Sequence, residues 1–140
     1  MWPKQAGVMV QNNLTKFHTL VISDLHLSDA EPHHVKNPLW KKFKRKEYFI
    51  DKSFKNFLTY MEEFNKEDKI ELVLNGDIFD FDSVMSLPEY ADFKISNVEK
   101  FFGLNPTEVK SAFKIETILT QHQGWVEALS QFIINGNHVV

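Results

Sequence analysis

Two aspartates and a histidine stand out in the first part of the chain. Asp24 and His26 are one residue apart, and Asp77 opens the run Asp77-Ile78-Phe79-Asp80 just after Gly76. A third segment, Gly136-Asn137-His138, lies near the other end of the sequence. Carboxylate, imidazole and amide side chains are hard-to-borderline metal ligands. On extended backbone alternate side chains point the same way, so one cation can take an oxygen from Asp24 and a nitrogen from His26. The two carboxylate oxygens of Asp77 can bridge two cations, and Asn137 offers an amide oxygen to the second. Two metals about 3.5–4 Å apart polarise a phosphoryl group and activate a water for in-line attack on phosphorus. His138, next to Asn137, can protonate the leaving oxygen or stabilise the charge of the transition state. Asp80 can orient His138.

Each segment follows an apolar run: Leu20-Val21-Ile22-Ser23, Ile70-Glu71-Leu72-Val73-Leu74-Asn75 and Phe132-Ile133-Ile134-Asn135. These runs predict strands over 17–23, 69–75 and 131–135. Apolar residues three and four apart from Phe49 to Phe64 predict an amphipathic helix over 47–65. Asn105-Pro106-Thr107-Glu108 reads as a helix start, predicting a helix over 106–129 with an interruption at Gly124. Residues 28–40, with two prolines, read as a loop, and a short helix is expected near 97–102 within an otherwise irregular 81–104. Residues 1–16 read as a loose leader with a short edge strand at 7–10. The alternation of strands and helices implies a parallel sheet with right-handed crossovers. Ligands of such sheets bind beyond the carboxyl ends of the strands, where all three segments are expected.

A length of 140 residues suits one domain or part of a larger one. The absence of cysteine excludes disulfides, thiolate zinc sites and cysteine nucleophiles, and fits a reducing, cytoplasmic setting. No apolar run approaches the roughly 20 residues that span a bilayer. A net charge of −3 makes no global case for nucleic acid, so any basic surface is local. The one basic cluster, 41–46 between Trp40 and Tyr48, reads as a solvated loop ahead of a grip on phosphate, nucleic acid or an anionic membrane. His33 and His34 read as exposed loop residues, and His18 and His122 as structural.

The three segments resemble the first signature blocks of the calcineurin-like metallophosphoesterases: Asp-X-His, Gly-Asp-X-X-Asp and Gly-Asn-His. The resemblance runs from about Phe17 to His138. It implies a phosphoester hydrolase with a dinuclear centre of manganese, iron, zinc or nickel. Asp24, His26, Asp77 and Asn137 would be ligands, His138 the catalytic histidine and Asp80 its partner. The implied fold is α/β, a parallel-sheet βαβαβ half of a metallophosphoesterase-type α/β/β/α sandwich. In two respects the chain departs from the family pattern. Val139-Val140 follows the third block where the family has an acidic residue, and the later histidine-bearing blocks are missing. The expectation is therefore a single incomplete domain over 1–140, a truncated N-terminal portion with weak activity or none alone. One sheet face would be exposed and available for self-association. The rival readings are a non-catalytic metal-binding or interaction fragment, and a nuclease of the same superfamily.

Overall fold

The computed structural model describes residues 17–32, 35–66 and 68–140. The expected leader with its edge strand, and the pair His33 and His34, lie outside the described residues. Three strands, β1 (Phe17–Ile22), β2 (Lys69–Leu74) and β3 (His138–Val139), form a parallel sheet in the order β1-β2-β3. β1 and β2 pair along their full length, from Phe17 opposite Lys69 to Ile22 opposite Leu74. Glu71 and Leu72 pair with His138 and Val139.

Period-two alternation divides the sheet into two faces. Ile70 and Leu72 are fully buried, and Leu20, Ile22, Leu74 and Val139 pack beside them on one face. Two helices cover that face: α1 (Asp51–Phe64) through Phe54 and Leu58, and the helix over Gln123–Ile134 through Trp125, Ala128 and Phe132. The other face carries Thr19, Glu71 and His138 with Val21 and Val140, which are 59% and 70% exposed. The exposed face expected from sequence is present.

Between β2 and β3 the chain forms α2 (Asn97–Phe102), α3 (Glu108–Gln121) and α4 (Gln123–Ile134). The expected helix over 106–129 is broken at His122, not at Gly124. Asp51 explains the shift. Its carboxylate accepts from the Trp125 N–H (3.3 Å) and so caps the start of α4 from a distant helix. Gly124 makes room for it, since a Cβ there would lie 3.1 Å from the Asp51 Cβ. The expected helix over 47–65 begins only at Asp51. Two single turns of 3-10 helix, Lys42–Lys44 and Lys46–Tyr48, precede it.

The third strand requires the largest correction. Residues 131–134 belong to α4, because Trp125, Ala128 and Phe132 recur at helical spacing against α1 while Ile133 and Ile134 point outward. The helix ends in a Schellman motif. Gly136 sits at φ 88°, its N–H bonds Ile133 O (2.9 Å), and the Asn137 N–H bonds Phe132 O (3.3 Å). β3 therefore starts at His138, the last residue of the segment that was expected to follow it.

Buried ion pairs hold the irregular connections. Lys44, 1% exposed, lies 2.8 Å from Asp29 Oδ1 and 2.9 Å from Glu31 Oε1. Burial alone would raise the Asp29 carboxyl pKa, but hydrogen bonds from Lys44 and Ser86 outweigh it and hold the group below its usual value. Ser96 and Glu99 form a capping box on α2. Lys110, with the Ser96 and Asn105 N–H groups, holds the Glu99 carboxyl down at about 2. The unfolded chain, with the usual value of 4.5, takes up that proton first as acid is added. This contribution to stability is therefore whole above pH 4.5 and lost as pH falls toward 2. Glu99→Gln is expected to flatten that acid limb, read as the urea midpoint against pH.

Candidate metal centre

The geometry that builds the site is the continuation of parallel pairing past the ends of β1 and β2. The Asn75 N–H bonds Ile22 O (2.7 Å), the His26 N–H bonds Asp77 O (3.0 Å) and the Leu27 N–H bonds Ile78 O (2.8 Å). The Asp80 N–H returns to Leu27 O (2.9 Å), and Leu27 and Phe79 form a parallel bridge. The two loops therefore run side by side, and Leu27 and Ile78 anchor them in the core. Three side chains are left at the surface between them. Ligand atoms of Asp24, His26 and Asp77 lie within 4.8 Å of one another, and all three residues are exposed.

The backbone here is strained. Asp24, His26 and Asp77 take φ of 56°, 49° and 43°, and Gly76 takes 69°. Among the described residues, Lys41 is the only other non-glycine with positive φ. Left-handed backbone costs an L-residue about 1–2 kcal/mol, less for aspartate. Such strain concentrates at functional sites, where surrounding contacts impose it. Here the laced loops impose it, and its effect is to turn three donors toward one point.

The electrostatics favour a cation. Two carboxylates are held together, and among the described residues no lysine or arginine forms an ion pair with either. Asp24 accepts a short hydrogen bond from the Ser23 hydroxyl, and His26 Nε2 lies 3.9 Å from Asp24 Oδ1. Two carboxylates and one imidazole suit divalent transition metals, so the residues present fit such an ion.

Asn137 is not brought to this point. Its Oδ1 accepts from the Ile70 N–H (3.0 Å), while its Nδ2 donates to Glu62 Oε1 (2.7 Å) and Phe132 O (3.1 Å). It is buried at the amino end of β2. The rise from Ile70 to Leu74 alone puts it about 13 Å from the end where the donors meet. His138 starts β3 opposite Glu71, midway along β2 and about 10 Å short of Leu74. Asp80 does stand at the donor end. Its oxygens accept from the Ser83 N–H (3.0 Å) and hydroxyl, so it shapes the loop after Asp77, past the end of β2, while His138 sits opposite Glu71 within the sheet. The physical reason is the helix stop at Gly136, which makes Asn-Gly-Asn an end cap for α4 instead of a strand-end loop. Gly after a helical apolar period was the sequence signal for it. Ser23, the neighbour that hydrogen-bonds the Asp24 carboxylate, carried no comparable signal.

A parallel α/β sheet thus presents carboxylate and imidazole donors beyond its strand ends. A family model for calcineurin-like phosphoesterase matches residues 17–139, and the chain belongs to that family. No curated protein and no solved structure gives a significant match. The family acts on phosphoesters and binds divalent metals. Among the described residues, no helix is long and apolar enough to cross a membrane.

Two substitutions separate the roles. Asn137→Ala leaves the Ile70 N–H without its acceptor and is expected to cost about 1–3 kcal/mol in urea unfolding. Manganese affinity by calorimetry should not change. Asp77→Gly relieves left-handed strain and is expected to raise the stability of the metal-free protein by up to about 1 kcal/mol. The same substitution should weaken manganese binding at least tenfold.

Proposed function

We propose that this chain hydrolyses phosphoesters at the point where Asp24, His26 and Asp77 meet, and that these three residues hold the divalent ions. The observation that carries the reading is the convergence of those donors from two strand ends on strained backbone. When bound, the ions supply Lewis-acid polarisation and water activation. Asp24 contributes an anionic oxygen whose rotamer is tethered by Ser23. Asp77, with two carboxylate oxygens, would hold the ions from the second loop. His26 contributes the nitrogen donor. Asp80 holds the loop that carries Asp77. Manganese, iron, zinc and nickel all suit this mixed oxygen and nitrogen set.

Nothing in the site favours a nucleic-acid substrate over a small phosphoester. The basic segment that suggested a nuclease is largely engaged within the protein. Lys41 and Lys44 pair with Glu31 at 2.9 Å each, Lys44 also with Asp29, and Arg45 approaches Glu47 at 3.6 Å. The non-catalytic reading has one observation behind it: three protein donors are fewer than the four to six that each ion takes.

Turnover separates the two. With manganese added, the purified chain is expected to hydrolyse bis(p-nitrophenyl) phosphate, measured as released p-nitrophenol. Asp24→Asn and Asp77→Asn should each lower the rate at least 100-fold without unfolding the protein. Metal binding by calorimetry with no turnover across manganese, zinc, iron and nickel would leave the non-catalytic reading standing.

A further inference from the structure

Beside the donor cluster lies a cavity of about 230 Å³, and His26 is part of its wall. Leu25, Phe49 and Ile50 line it, Phe43 and Tyr48 stand at its rim, and Lys44 and His122 close its floor. The metal centre does not require this hollow, since no donor reaches the cluster from it other than His26. Its chemistry is legible from what its polar groups already do. The Lys44 ammonium has three N–H groups and three acceptors: Asp29 Oδ1, Glu31 Oε1 and the Ser83 carbonyl. His122 Nδ1 lies 2.6 Å from Asp51 Oδ1, and its Nε2 lies 2.9 Å from Ser28 O. The remaining Asp29 oxygen accepts from the Met85 N–H, the Ser86 N–H and the Ser86 hydroxyl.

Floor groups so fully engaged have nothing left for a ligand's donors or acceptors. A charged or base-like group reaching that floor would be desolvated without compensation there. An apolar group would meet Leu25, Ile50 and aromatic faces, with the Phe49 ring stacked on His122 at 4.0 Å between centroids. The volume fits one substituted ring.

We propose that this cavity receives the alcohol portion of the substrate, and that the protein acts on phosphoesters whose leaving alcohol carries an uncharged, ring-sized apolar group. The inference rests on the metal reading above, because His26 is what joins the cavity to the cluster. Hydrolysis adds water across the P–O bond. The water oxygen goes to phosphorus, and the alcohol leaves with a proton and vacates the cavity.

Phenylphosphonate and methylphosphonate, neither of which can be hydrolysed at its P–C bond, test it. Titrated by NMR into the zinc-loaded chain, phenylphosphonate is expected to bind about tenfold tighter. The extra shifts should fall on Leu25, Phe49 and Ile50. Phe43→Ala and Tyr48→Ala remove exposed rim residues and leave the core intact, and each should lower the phenyl-to-methyl affinity ratio at least threefold. Equal affinities, or a ratio untouched by both variants, would overturn the proposal. Benzyl alcohol without metal tests the cavity independently of the cluster. Shifts confined to the same residues support an apolar subsite even where zinc fails to bind, and their absence counts against it.

Discussion

The register of β1 against β2, carried beyond the strands into the loops that follow, is the constraint on which the site depends. Six paired residues bring Ile22 level with Leu74. Backbone bonds from Asn75, His26, Leu27 and Asp80 then keep the two chains in step for several residues more. A side chain that leaves one loop therefore meets its counterpart from the other, although the two are distant in sequence. A slip of one residue would turn the core residues Ile70 and Leu72 outward, so hydrophobic burial enforces the register. The same burial energy thus positions the donors and sustains the left-handed backbone at Asp24, His26 and Asp77.

The other end of the sheet is built by a different device. There α4 stops at a left-handed glycine, and the amide of Asn137 ties the stop to the start of β2 and to Glu62 on α1. Each polar atom of that side chain has a partner, which a buried amide needs. The amide ties a helix end, a strand start and a second helix together. That makes it a structural element by its contacts, whatever its residue type suggests.

In the connections after β1, polar and charged side chains are buried beside the apolar core. Asp29, Glu31 and Lys44 form one ion-paired set, and a hydrogen bond joins Asp51 to His122. Pairs of this kind add little net stability against apolar equivalents, but losing one partner leaves a costly buried charge. Their effect here is geometric. They bring residues 42–50 against the loop after β1 and leave the apolar hollow beside His26. They also draw inward much of the basic run that looked, as a string of letters, like a surface patch.

The chain's letters alone were sufficient for the local and periodic features. The first two strands, the apolar face of α1 and the parallel α/β class follow from β-branched runs, three-and-four spacing and the order of elements. Asp24, His26 and Asp77 were recognisable because the strands before them are read easily and side-chain type limits the chemistry. Folding decided what depends on long-range contacts. Phe132-Ile133-Ile134 is apolar enough for either a strand or a helix, and only packing of Trp125, Ala128 and Phe132 against α1 settles it as helix. That choice moves Asn137 to the far end of the sheet and sets His138 opposite Glu71, short of the strand end. The break at His122 and the pairing of Lys44 with Asp29 are likewise invisible in sequence, because each depends on a residue brought close in space from a distant stretch.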